Sequence, residues 1–171
     1  MQKLLKSRRR HFLRDDEGAT AIEFAFLAMP FFLTMFAILE TSLSYTAQQV
    51  ISNATANISR EIRTGRMDPA ALGQSAFRTR FCQEIEIMVP DSCPDLHIDI
   101  SQYATFSAVP NQVPDLSDPS NFQFDPGGRG TINQMRIVYE WPIITDLMKK
   151  HMSPYDNGKA LLYSTTTWRN E

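Results

Sequence analysis

GATAIEFAFLAMPFFLTMFAIL, residues Gly18–Leu39, is an apolar run interrupted by one carboxylate, Glu23. Ahead of it, residues 1–18 hold six basic side chains (Lys3, Lys6, Arg8, Arg9, Arg10, Arg14) and three acidic ones (Asp15, Asp16, Glu17), a balance of +3. The whole chain carries −2, so the remainder carries −5. From Phe24 to Leu39 there is no charge at all. Residues 19–39 match the roughly 20 that a helix needs to cross a bilayer. Phe24, Phe26, Leu27, Phe31, Phe32, Leu33, Phe36, Ile38 and Leu39 place apolar bulk around the whole circumference, where a soluble core helix would keep a polar face. Positive charge beside such a run marks the cytoplasmic flank of a membrane helix, and with that span adjoining it a nucleic-acid-binding arm is the weaker reading. The leader has no apolar stretch before a small-residue cleavage site, so it is not an ordinary secretory signal. Pro30 falls mid-span, where its missing N–H removes one helical hydrogen bond and favours a bend.

The helical pattern continues past Glu40. Leu43, Ala47, Val50, Ile51, Ala54, Ile58 and Ile62 recur at three- and four-residue steps, with polar residues opposite. Gly65 reads as a C-cap behind Arg60 and Arg63, cations that suit the end of a helix dipole. One helix from about Ala19 to Arg63 is expected, roughly 65 Å long at 1.5 Å per residue. Asp68-Pro69 has the form of an N-cap and first helical residue, opening a second helix that carries Phe77, Phe81 and Ile85 on one face. Leu96, Ile98 and Ile100 alternate with His97 and Asp99, predicting a strand over residues 95–106 with one buried face. Residues 107–130, rich in Pro, Asp, Ser, Asn and Gly, read as a long surface loop partly ordered by Phe122 and Phe124. Thr131–Trp141 and Lys159–Trp168 read as two further strands, and Ile144–Met152 fits either a short helix or a loop. With 171 residues and 43% hydrophobic content, the chain is one modest domain plus appendages. The expected class is α+β, a long N-terminal helix, a second helix and a small antiparallel sheet of about three strands. Its parts would be a leader (1–18), a transmembrane helix (19–39), an amphipathic continuation (40–65) and an α+β head (66–171).

Cys82 and Cys93 lie beyond the span and would face an oxidising compartment. An even count there favours a disulfide closing a short loop, with two unpaired buried thiols as the alternative. No Cys-x-x-Cys pair completes a zinc ligand set. His97 and His151 read as surface residues, and no nucleophile elbow, Walker loop or His-Glu-x-x-His helix occurs. Pro126-Gly-Gly-Arg-Gly130 lacks the Lys-Ser/Thr of a phosphate cradle. The aspartates are not spaced as an EF-hand. The expectation is a protein that is not an enzyme, with no catalytic residue, cofactor or metal.

The chemistry is therefore concentrated at the start of the span. An ionised carboxylate near the bilayer core costs about 2.5–3.5 kcal/mol, less at the membrane edge. Glu23 is either tolerated at that edge or waiting for a cation. If the chain were cut after Gly18, Ala19 would gain an α-amino group with an unperturbed pKa near 8. Such an amine on one subunit and Glu23 on another could neutralise each other and fix their axial register.

A basic leader ending in Gly, a small residue, Glu at the fifth position and a Phe-rich span resembles the type IV prepilins. Glu23-Phe24, Pro30 and the closing Arg169-Asn170-Glu171 resemble more narrowly the TadE-like pseudopilins of tight-adherence (Tad/Flp) pilus systems. The resemblance implies cleavage between Gly18 and Ala19 by a prepilin peptidase and a minor-pilin role in pilus assembly, initiation or capping. It implies a single-pass protein of the bacterial inner membrane, with its N-terminus cytoplasmic and C-terminus periplasmic, able to enter a surface pilus. Its partners would be the prepilin peptidase, other pseudopilins, the major Flp pilin, the inner-membrane Tad assembly platform and membrane lipid, with no nucleic acid. Major Flp pilins have Glu-Tyr and little beyond the helix, so Glu23-Phe24 and over a hundred further residues argue against a shaft subunit. The alternatives are an unprocessed single-pass anchor carrying a periplasmic binding or enzymatic head, and an uncleaved envelope scaffold.

Overall fold

The computed structural model describes residues 17–90, 92–155 and 157–171, so the leader up to residue 16 lies outside the described residues. The chain divides into two compact units, one ending at Leu39 and the other spanning Glu40–Glu171. Helix α1 covers Glu17–Arg63 and contributes to both. In the first unit it continues through Pro30 as α-helix on both sides.

The second unit is α+β, as the sequence patterning requires. Ala47, Ile51, Ala54, Ile58 and Ile62 on α1 are buried. Leu43, expected on the same stripe, is 50% exposed instead, so the buried apolar stripe opens with Ala47, and the buried positions ahead of it are the polar Glu40 and Ser44. α1 ends where Gly65 turns left-handed at φ +69°, its N–H donating to Ile62 O (3.0 Å) while Arg66 N–H donates to Glu61 O (2.9 Å). Glycine meets that conformation without steric cost.

The second helix is split in two. Asp68 caps a one-turn helix, α2 (Pro69–Leu72), by accepting from Ala70 N (3.0 Å) and Ala71 N (3.3 Å). Gly73, at φ +79°, then breaks the run before α3 (Gln74–Ile85). α3 buries Phe77, Phe81, Cys82 and Ile85. Cys82 is joined to Cys93 with their Cα atoms 6.0 Å apart, and Cys93 takes a left-handed φ of +41°. The Arg78 guanidinium holds the returning loop by donating to Leu96 O and to Cys93 O (2.6 Å).

Strands β1 (Leu96–Tyr103), β2 (Ile132–Pro142) and β3 (Lys159–Arg169) form an antiparallel meander in the order β1-β2-β3. Its register runs from Leu96 opposite Tyr139 to Tyr103 opposite Ile132, and from Ile132 opposite Arg169 to Pro142 opposite Lys159. The face carrying Leu96, Ile98, Ile100, Met135, Ile137, Tyr139, Leu162 and Trp168 forms one core with the buried stripes of α1 and α3. Helix α4 (Asp146–Met152) occupies the segment that fitted either helix or loop.

β1 departs from its expected single buried face. Asp99, on the opposite side, is fully buried: its carboxylate accepts from Arg136 Nε (2.8 Å) and Gln123 N (2.9 Å). A buried charge persists only when paired and hydrogen-bonded, and both conditions are met here. The loop between β1 and β2 supplies the cover, bonding along the outer edge of β1 through Ile100 N to Gln123 O (2.8 Å) and Asp125 N to Ile100 O (2.7 Å). Phe124 packs on Phe77 at 5.6 Å and Phe122 on His97 at 5.3 Å, so both aromatics order that loop.

Candidate functional site

The first unit holds the sequence-predicted Gly18, Ala19, Glu23, Phe24 and Pro30, all within α1. Ile22, Phe24, Phe26, Leu27, Met29 and Phe31 are 61–77% exposed, and none of the apolar window is buried. A core helix of a soluble protein would bury such a surface. A removable secretory signal would not run on, as α1 does, into the central helix of a folded head. Among the described residues α1 is the one helix long and apolar enough to cross a membrane, and a single-pass membrane protein follows. Glu23 is exposed on this helix and, among the described residues, has no side-chain hydrogen bond or ion pair. Pro30 offers no N–H to the Phe26 carbonyl, while Thr34 Oγ1 donates to Pro30 O (2.8 Å).

In the second unit, Glu40 gave no signal in the sequence beyond ending the uncharged run. Its side chain is buried at 6% exposure. One carboxylate oxygen accepts from Ile144 N and Thr145 N (3.2 Å), the other from Thr145 N (3.3 Å) and Thr145 Oγ1. Burial raises the Glu40 pKa, but the donors from Thr145 and Ile144 and the nearby Lys149 charge outweigh it and hold the pKa below the usual carboxylate value. Thr145 is the N-cap position of α4 and makes no capping bond with its own side chain, so its hydroxyl is given to Glu40 instead. Further along α1, Gln48 meets β3 with both ends of its amide. Nε2 donates to Tyr163 O (2.8 Å) and Oε1 accepts from Tyr163 N (3.1 Å).

Arg169-Asn170-Glu171 has a structural position at the end of β3. Arg169 Nε donates to Gly130 O (3.0 Å). Asn170 Nδ2 donates to Gly127 O (2.7 Å) and Gly128 O (3.1 Å), and its Oδ1 accepts from Trp168 Nε1 (2.6 Å). The glycine-rich loop is thus held by the chain's last residues. A Cβ at Gly127 would lie 2.2 Å from Thr131 Oγ1, so any other residue there displaces that side chain. Glu171 reaches Arg63 Nε at 4.0 Å, a solvent-exposed pair of the kind that contributes about 0–1 kcal/mol.

One polar cluster joins the three strands at their α4 end. His97 Nε2 lies 3.2 Å from Glu140 Oε1, Asn157 Nδ2 donates to Glu140 Oε2 (2.9 Å), and Lys159 Nζ donates to Asp95 Oδ1 (2.6 Å). The bond to Asp95 raises the Lys159 pKa, burial opposes it, and the Glu140 charge adds to the rise. His97, expected on the open surface, is half-buried against Phe122 because the β1–β2 loop folds over it. Among the described residues no group of three His, Cys, Asp or Glu side chains converges as a metal site would require.

Compared with known proteins, the chain matches no curated protein and no solved structure. A family model does match, the one described as TadE-like protein, over residues 18–60. That stretch begins at Gly18, includes Glu23, Phe24, Pro30 and Glu40, and stops within the last turn of α1. Residues 18–60, about a quarter of the chain, are thus similar to the TadE-like family, and the similarity stops short of the head.

Proposed function

We propose that this protein is a minor pseudopilin of a Tad/Flp pilus system. A prepilin peptidase cuts between Gly18 and Ala19 on the cytoplasmic side of the bacterial inner membrane. The span, residues 19–39, then packs against the helices of other pseudopilins and the major Flp pilin on the Tad assembly platform. The head, residues 66–171, faces the periplasm and is built on the amphipathic continuation, residues 40–65. Within the assembly Glu23 pairs with the α-amino group of a neighbouring subunit and sets the axial register. Pro30, whose ring removes one helical bond, is where the span yields to fit its neighbours.

One observation supports this reading above the others: a lone carboxylate stands exposed on a helix that is otherwise apolar on every side. In lipid that group is expensive unless a cation meets it. The head contributes a closed core and a satisfied polar cluster, and these explain themselves as structure. N-terminal sequencing of protein purified from cells with and without the prepilin peptidase tests the reading. Mature protein should begin at Ala19 only when the peptidase is present. Protein beginning at Met1 in both strains would overturn it.

A further inference from the structure

We propose that residues 143–152 form a second membrane contact, lying on the phospholipid surface. Ile144 enters the boundary between headgroups and acyl chains, and Lys149 and Lys150 reach lipid phosphates. The inference rests on the reading of α1 as a membrane span.

Ile144 is 78% exposed. A single exposed isoleucine signifies little by itself; the place where this one is held gives it weight. Its N–H and that of Thr145 are bonded to the Glu40 carboxylate. Glu40 directly follows Leu39, the last residue of the uncharged run. The backbone of Ile144 is thus bonded to the residue that immediately follows the uncharged run, by hydrogen bonds and not through a flexible tether. The bonds also fix the segment in advance, so little ordering entropy is lost on contact. α4 then presents cations: Lys150 and His151 are exposed, and Lys149 is half-buried and paired with Asp146 at 2.8 Å. Lysine suits this boundary because its stem lies along apolar surface while its ammonium reaches phosphate. Basic residues next to a span are attracted to anionic headgroups.

The test uses full-length protein in phosphatidylcholine vesicles with and without phosphatidylglycerol. A nitroxide label is placed in turn at I144C, F31C and N57C, with the native cysteines left joined. Asn57 lies roughly 25 Å beyond Glu40 along α1 at about 1.5 Å per residue, and is exposed. Collision rates with oxygen and with a water-soluble nickel chelate report depth. The label at 144 should show an oxygen-to-nickel ratio between those at 31 and 57. In phosphatidylglycerol vesicles that ratio should fall towards the value at 57 when K149Q and K150Q are added. A label at 144 as wet as the one at 57, while 31 reads lipid, overturns the contact and leaves the span intact. A label at 144 shielded from both reagents also overturns it, because a protein surface then covers the residue. A wet label at 31 removes the span, and this contact with it.

Discussion

Asn170 is bonded at once to the carbonyls of Gly127 and Gly128 and, through its own oxygen, to the Trp168 indole N–H. Asn170→Ala removes all three bonds, one of them to the indole of the buried Trp168, a loss of about 0.5–1.5 kcal/mol by the usual net worth of a hydrogen bond. Urea denaturation of the full chain in detergent, followed by tryptophan fluorescence, should move to lower midpoint by that amount. Gly127→Ala should destabilise as well, because the new methyl group meets Thr131 Oγ1. Should both variants unfold like the parent, Asn170 does not hold the loop.

Glu40 makes stability depend on pH. Its folded-state pKa is lowered, so its contribution is fully present above the unfolded value of about 4.3 and is lost as pH falls through the lower, folded value. Glu40→Gln should therefore be less stable than the parent at neutral pH, with the gap closing on acidification. Asp115, Asp118 and Asp146 are also held below their usual pKa values by local hydrogen bonds, but they are common to both proteins and cancel in the comparison. Denaturation midpoints across the acid range give the answer. A constant gap would mean that the carboxylate charge is not what Ile144 and Thr145 recognise.

Lys159 works in the opposite direction. Its pKa is raised by Asp95 and Glu140, so its stabilising contribution is complete below the unfolded value of about 10.4 and disappears as pH climbs through the folded one. Lys159→Met should flatten the alkaline limb of the stability curve. An unchanged alkaline limb would assign that limb to other groups, such as Tyr139, whose pKa is raised by burial.

Reduction of the Cys82–Cys93 bond opens a loop with a separation of 11 residues. Chain entropy puts the loss at about 2–3 kcal/mol. The double variant C82S/C93S should denature at the same midpoint as the reduced parent. Equal midpoints for oxidised and reduced parent would show that the Arg78 clamp and the surrounding core hold the loop without it.

Glu23→Gln addresses the proposed assembly role directly. The expected result is loss of co-purification with other pilins and of surface pili, with cleavage after Gly18 retained. The denaturation curve of the head should not move, because Glu23 belongs to the other unit. Normal piliation would remove the pairing role.

The long helix and the three strands were legible because each rests on a repeat that survives folding, at steps of three and four on α1 and of two on β1. Three features were not. The break at Gly73 was hidden because Asp68-Pro69 opens a helix whether it lasts one turn or five. Burial of Asp99 depends on a loop whose path over the sheet has no periodic signature. The Glu40 contact joins residues more than a hundred positions apart, and a Glu after an apolar run looks the same whether it faces water or backbone donors. The Arg169-Asn170-Glu171 end was recognisable as a motif, but what it touches could only be read once the glycine loop had a position. For the candidate site, Gly18 to Phe24 stands out by composition, since the penalty for a lone charge in lipid needs no tertiary information, and the fold adds only that Glu23 is exposed on α1.

Gln48 has a wider consequence. Tyr163 lies on the open side of β3, where its N–H and carbonyl would otherwise invite a strand from another molecule, and the Gln48 amide fills both. Uncovered sheet borders are where proteins polymerise without control. By occupying this one with a side chain from its own helix, the head declines strand-to-strand stacking at Tyr163. A strand pairing along β3 would first have to displace that amide.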